Sequence, residues 1–516
     1  MSKRFDFGGV NLRAGEQTVG ARPTSETPFC IAILGDFSGR SNRGVLEPET
    51  VPERRTYLID RDNFDEVLSK LRPELHLPTD KHPLVIRFSE LEDFHPDRLY
   101  QNEAFRELKD TREGVRDPST FKEVAERLGV RNSPAPSAAV EESTRVTAPS
   151  PVRLASGSLL DEMIEQTETR ISLEPRRRSD EVHEFARQLA TKYAVSAPDS
   201  RQPEVLASVD RVTGDAMRGI LHNPEFQSLE AIWRATFLLV RQLEGSNLKV
   251  FLLDVSRQEL ASDLQATEDI RHSALYRLLV EKTVETLGAD PFTIVLGAFR
   301  FGSASEDMEL LSKLATIANR AGAVLLAEGN PKLVGCSSLN DAPSPGEWKG
   351  SDLDASWEQV RRRPEAASIG LALPRFLLRL PYGSNTSPLE SFDFEEFSGP
   401  PPHEHYLWGN PAFALTLLLG QNFNEAGWEM RPGNVSQLEN LPLHTYRTNG
   451  EVESKPCAEV LLTEEAVERI LDRGLIPLIS YKGRDSARVA RFQSIADPQQ
   501  QLAGRWTPQG AVTERD

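Results

Sequence analysis

Cysteine is scarce. Cys30, Cys336 and Cys457 are the only three in 516 residues. They form no CxxC pair, and a disulfide scaffold needs many more, so a reducing compartment is expected. Residues 1–17 contain no apolar core of the kind a secretory leader requires. No run approaches the ~18–20 uncharged apolar residues of a membrane-spanning helix; the apolar tract at 371–380 is broken by Pro374, Arg375 and Arg379. Basic excess is missing too: 60 Lys+Arg face 78 Asp+Glu, a formal net charge of -18. Counterion release on nucleic acid needs clustered cations, and anionic lipid asks for the same. The expectation is a soluble cytoplasmic protein that binds neither nucleic acid nor membrane.

The signatures of catalysis are equally sparse. Residues 35–39 (GDFSG) and 42–44 (NRG) follow an apolar strand, but no Gly-Lys-Ser/Thr completes a phosphate loop and no GxGxxG follows a strand. GxSxG and HExxH are absent. The tightest metal-capable cluster is His403-Glu404-His405, whose two histidines would share a face on a strand. His444 and Cys457 are too distant to name as a third ligand, and the preceding GPPP (399–402) points to a solvated loop. Asp36 and Asp254 stand at the ends of expected strands, where α/β sheets place ligand-binding groups. Each is equally an ordinary turn or cap residue. No catalytic, cofactor or metal site is assigned, and weight moves toward an assembly role.

What is present is α/β alternation on either side of a seam. Residues 129–157 are rich in proline, small residues and scattered charges, without apolar period, and read as a flexible linker. It separates a unit at 1–128 from one at 158–498, with a polar tail at 499–516 expected to be disordered. In the first, residues 5–10, 29–37 and 83–88 read as strands, 63–71 as a helix, and a further helix starts at Asp117-Pro118 and stops at Gly129. The second has strands at 248–255, 291–299 and 323–327. Alternating with them are helices at 224–243, 273–287 and 306–321, and Ser256-x-x-Glu259 is a capping box. Apolar strands separated by helices predict a mainly parallel sheet covered on both faces. The fold class is therefore α/β: a small unit plus a larger one.

Residues 374–383 (PRFLLRLPYG) set Arg375 and Arg379 among apolar neighbours. Arginine buried there requires a carboxylate, and Glu395 and Glu396 are the nearest candidates; the alternative is a pair of snorkelling surface arginines.

These segments carry a family resemblance. Residues 220–234 (ILHNPEFQSLEAIWR), 374–383, 406–410 (YLWGN, with Trp408) and 437–445 (QLENLPLHT) resemble the large subunit of the type VI secretion contractile sheath. Residues 33–39 (ILGDFSG), 53–55 (ERR), 59–65 (IDRDNFD) and 91–97 (LEDFHPD) resemble its small subunit. The resemblance covers most of the chain and implies both subunits joined through the 129–157 linker.

A sheath-type fold would be a structural, non-enzymatic subunit without cofactors, polymerising with itself or other sheath subunits around an inner tube protein and contracting from a baseplate. The family's recycling ring ATPase binds a helix of the large subunit, whose counterpart here is residues 158–166, with Leu159, Leu160, Met163 and Ile164 as the apolar face. Residues 5–10, through Phe5, Phe7 and Val10, would supply an inter-subunit strand. The small-subunit likeness thins after Gly129, and the large-subunit likeness runs only to residues 487–494, short of the family's interlocking tail. Two alternatives follow. One is an accessory or capping protein that binds a sheath end or baseplate without polymerising; the other is an α/β nucleotide- or metal-dependent enzyme using Asp36 or Asp254.

Overall fold

A computed structural model describes residues 23–78, 84–129, 199–245, 247–342, 344–348 and 355–507. These divide into two units, one from residues up to 106 together with those from 212 onward, the other from residues 107–211.

The most apolar segments of the chain become the strands of one nine-stranded sheet. They are β1 (Phe29–Gly35), β2 (Tyr57–Ile59), β3 (Leu248–Asp254), β4 (Phe292–Phe301), β5 (Val324–Gly329), β6 (Ile369–Leu373), β7 (Gln437–Leu438), β8 (Ile476–Ser480) and β9 (Ala487–Val489). Their order is β7-β9-β8-β6-β5-β4-β1-β3-β2. The six strands from β8 to β3 run parallel, and the outer pairings are antiparallel. All seven residues of β1 are buried, as a strand with neighbours on both edges and cover on both faces must be. Phe29 to Gly35 pair with Leu248 to Asp254 on one side, and Cys30 to Leu34 face Phe292 to Gly297 on the other.

Six helices matter for the site: α1 (Phe64–Leu71), α2 (Pro224–Gln242), α3 (Arg257–Gln265), α4 (Ser305–Arg320), α5 (Pro411–Ala426) and α6 (Glu464–Asp472). The even positions of β1 (Cys30, Ala32, Leu34) join a core with Leu260 and Leu264 of α3, Leu310, Leu311 and Leu314 of α4, and Ile470 of α6. The odd positions face α2 and α5. The Phe29 ring lies 4.7 Å from that of Phe423, and a Cβ on Gly35 would sit 2.4 Å from Ile232 Cδ1. Two helix N-termini are capped by side chains. Asn223 accepts from the amides of Glu225 and Phe226 with Pro224 in the first turn, and Ser256 and Glu259 form the capping box of α3.

Several expectations need correction. The helix at 273–287 is only Ala274–Tyr276 followed by a π turn, Arg277–Glu281; Thr283 Oγ1 bonds back to the Leu279 carbonyl, and β-branched Val280, Thr283 and Val284 crowd the continuation. Asp117 accepts from the Ser119 amide and hydroxyl, making a turn, so the helix begins later, at Phe121–Arg127. The strand seen at 83–88 is Leu84–Arg87, antiparallel to Glu74–Leu77 in a hairpin of its own.

The division at the linker is not the division the fold makes. β1 and β2, from before residue 129, complete a sheet whose other strands all come after residue 247. The second unit is likewise drawn from both sides of the seam: Val115, Phe121, Val124 and Ala125 pack with Val205 and Val209 of the helix Gln202–Leu221. Arg112 Nε meets Asp210 at 2.5 Å, and the Gln202 amide donates to the Val115 and Arg116 carbonyls. Nor do residues 499–507 form a loose tail. Leu502 and Trp506 are 2% and 8% exposed, and Arg505 donates to the Ala321 and Gly322 carbonyls at the end of α4. Residues 130–157 and 508–516 lie outside the described residues.

Candidate functional site

The crevice beyond the carboxyl ends of parallel strands is where an α/β sheet offers a site. Here a cleft of about 700 Å³ lies there, bordered by Asp36 after β1, Ala298–Arg300 of β4, Glu328 of β5, Pro224 at the start of α2, Arg375 and Trp408. Several of its charged groups are already committed within the protein. Glu328, which burial pushes upward in pKa, pairs with Arg300. Arg257 pairs with Asp307. Asp36 accepts from the amides of Arg40 and Ser41 at 2.6 and 2.7 Å. Asp254 accepts from the amides of Phe37 and Ser38 and from Ser38 Oγ at 2.7–3.0 Å. The two aspartates are therefore the turn-closing groups that one reading of the sequence allowed. Among the described residues no group of three or more His, Cys, Asp or Glu could hold a metal ion.

What this region does instead is join distant stretches of sequence. Glu259, wholly buried, receives Arg54 at 2.6 Å and Arg40 at 2.8 Å. Burial opposes its ionisation, but those two guanidiniums with the Ser256 and Glu47 amides hold it well below the usual carboxylate range. Trp233 of α2 donates Nε1 to the Phe37 carbonyl at 2.9 Å. Asp97 accepts from the amides of Glu390 and Ser391 and from Ser391 Oγ. Each contact ties a residue before position 129 to one after 230.

Around this seam lie two more ionic clusters, and they settle the roles of the sequence-predicted residues. Arg379, with a side chain 9% exposed, bonds Glu396 at 2.8 Å and Glu230 at 3.0 Å and stacks on the Tyr382 ring at 4.3 Å. Glu230 also holds Arg234 at 2.6 Å. Burial alone would raise the pKa of Glu396; Arg379 and the Tyr382 amide bring it down to about 2. Arg375 bonds not Glu395 but Glu459, at 2.6 Å, and its guanidinium lies 5.9 Å over the Trp408 ring. Glu395 is instead taken by the Ser384 amide and hydroxyl. The arginines are thus mostly covered and paired, not snorkelling. His403, Glu404 and His405 form a 3-10 turn, not a strand. His403 turns to Glu459 at 3.1 Å, while His405 stacks on His222 with ring centroids 4.0 Å apart. Leu159, Leu160, Met163, Ile164, Phe5, Phe7 and Val10 lie outside the described residues.

Glu230, Glu259 and Glu459 escaped sequence reasoning as ion partners. Glu230 carried a signal, since it falls with Phe226, Leu229 and Trp233 on the apolar face of α2. A carboxylate at a core-facing position implies a buried cation.

The arrangement defines an α/β protein assembled from two stretches of sequence that share one sheet. Comparison with known proteins divides the chain in the same way. Residues 9–120 match the family described as type VI secretion system, VipA, VC_A0107 or Hcp2. Residues 203–496, more than half of the chain, match VipB, described as EvpB/VC_A0108, tail sheath N-terminal domain. The chain belongs to the type VI secretion tail-sheath family and carries both of its matched parts in one polypeptide. A curated relative, the type VI secretion system sheath protein TssC1 of Pseudomonas aeruginosa, is 29% identical over 304 residues, 57% of this chain and 61% of that protein. The chain thus spans under two thirds of that relative's length. No helix among the described residues is long and apolar enough to cross a membrane.

Proposed function

We propose that this chain is a structural subunit of a contractile type VI secretion sheath, working in the cytoplasm, in which one polypeptide supplies both halves of the building block. The observation that carries the reading is the position of β1. A strand from the VipA-like segment lies between two strands of the VipB-like segment with every residue buried. Such a pair is obligate, and one polypeptide makes the encounter intramolecular. The subunit polymerises with further sheath subunits around an inner tube and starts from a baseplate. Contraction draws on two packings of the same subunits rather than on chemistry inside them. On sequence pattern alone, Leu159, Leu160, Met163 and Ile164 would meet a recycling ring ATPase, and Phe5, Phe7 and Val10 would pair with a neighbouring subunit.

Negative-stain electron microscopy of the purified chain, alone and with its cognate tube protein, tests the reading. Regular hollow tubes are expected. Monomers or small oligomers in both samples, at concentrations where the chain is folded, would overturn it.

A further inference from the structure

We propose that the stacked imidazoles of His222 and His405 form a proton-operated gate between the cleft and a second hollow, closed with one proton on the pair and opened by the second. The inference does not depend on the sheath reading and stands on two observations. First, the rings lie face to face, with centroids 4.0 Å apart and planes 15° from parallel. Phe397 also stacks on His222, at 5.7 Å and 14°. Second, both imidazoles border the cleft of about 700 Å³, and both border a hollow of about 540 Å³ whose other walls include Arg218, Phe397, Pro400 and Pro402. The pair therefore stands where the two spaces meet.

So close a stack tolerates a single positive charge. A neutral ring lies favourably against a cation, whereas two imidazoliums at that distance repel, so the rings titrate as one coupled pair. The nearest carboxylate serves His222, whose Nε2 lies 3.4 Å from Glu396 Oε1. Glu396 is ionised throughout: burial would raise it, but Arg379 and the Tyr382 amide hold it at about 2. The other charges around the stack are engaged elsewhere or exposed. Arg218 holds Asp215 at 2.6 Å and the Glu395 carbonyl at 2.8 Å. Glu404, with a side chain 72% exposed, lies 3.6 Å from Arg375, and His403 turns to Glu459. Glu225 borders the cleft from the first turn of α2. His444 lies 6.3 Å from Phe397 and bonds the Tyr406 hydroxyl. Burial and the charge of His222 lower the pKa of His405, against the attraction of Glu396 and Glu404. The stability that neutral His405 lends the closed gate is therefore whole above pH 6.5 and is lost as the pH falls through its lowered value. The second proton parts the rings, frees the turn His403–His405 with the prolines before it, and joins the hollow to the cleft.

The test is hydrogen–deuterium exchange of the full chain from pH 8 to pH 5, each rate divided by the intrinsic rate at that pH and read by peptide mass spectrometry. The reporters are the amides of His405 and Tyr406, which bond the Pro402 and His403 carbonyls at 3.1 and 3.4 Å. The fully buried β1 is the internal reference. Glu396 and Glu459, held at about 2, keep their own titration below this range. Below pH 6.5 the opening of residues 397–406 is expected to rise by up to about tenfold per pH unit, the limit for uptake of one proton, with β1 unchanged. His405→Phe keeps a ring but takes no proton, so its protection should stay flat across the range. His405→Gln loses the ring and should be open at every pH. Should His405→Phe fail to fold, the wild-type slope decides, because uptake by His444 as well would steepen it toward about a hundredfold per unit. The proposal is overturned by protection of 397–406 that is unchanged from pH 8 to pH 5, by a two-proton slope, by a folded His405→Phe chain that opens as the wild type does, or by a His405→Gln chain as protected as the wild type.

Discussion

At the scale of single residues the structure depends on a few carboxylates that hold more than one cation. Arg379 sits between Glu230 and Glu396, and removing it takes the arginine from buried Glu396 and leaves Glu230 with Arg234 alone. Arg379→Ala is expected to cost about 3–5 kcal/mol, the usual penalty for breaking a buried pair from one side, seen as a lowered apparent melting temperature. An unchanged melt would show that water reaches both carboxylates. The acid limb of stability follows from the same groups. Glu396 and Glu459 are held at about 2 from an ordinary 4.5. Their contribution is therefore complete above pH 4.5 and is lost as the pH falls from there toward 2. Without Arg379 the Glu396 share vanishes, so the gap in melting temperature between wild type and Arg379→Ala should narrow from pH 5 to pH 2.5. A constant gap would remove Glu396 from the account. Of these pairs only Arg379 with Glu396, 17 residues apart, was open to the sequence. Glu230 lies 149 residues from Arg379 and Glu459 lies 84 from Arg375, and no local pattern matches partners over such spans.

Elements were more legible, because caps and apolar periods are local. Asn223-Pro224, Ser256-x-x-Glu259 and the buried strands 29–37 and 248–255 all stand close to where the residues place them. What failed were elements decided by distant contacts. Residues 499–507 have the composition of a tail, and it is Phe29 and the end of α4, distant in sequence, that Trp506 and Arg505 meet. The Trp506 ring lies 6.5 Å from that of Phe29, so this segment helps to cover β1. Trp506→Ala is expected to cost about 3 kcal/mol, in the range of large buried aromatics, and should lower the apparent melting temperature. Arg505→Lys, which keeps the charge but loses the two-pronged cap on α4, should lower it by much less. Equal and negligible effects would mean that the segment rests on the sheet without supporting it.

At the scale of the whole molecule, the sequence announces two parts and the fold denies that they are separate. The seam at 129–157 is plain in composition, and the family matches fall on either side of it. Composition reports where a chain is not packed, not which packed pieces belong together. β1 carries no sign of its neighbours, since any apolar strand of seven residues would look the same. Its partners start 219 and more residues later: Phe29 pairs with Leu248. A specific protease site placed within residues 135–145 therefore cuts a connection and not a domain boundary. The two fragments should remain together through gel filtration, because parting them would open both edges of β1, unpair Arg40 and Arg54 from Glu259, and divide the core of Val115, Phe121, Val205 and Val209. They should part only in denaturant. Renaturing them at falling concentration should then show a loss of recovery that the uncut chain does not share, since the linker supplies an effective concentration in the millimolar range. Fragments that separate under native conditions would mean that β1 is held by its tether and not by the sheet.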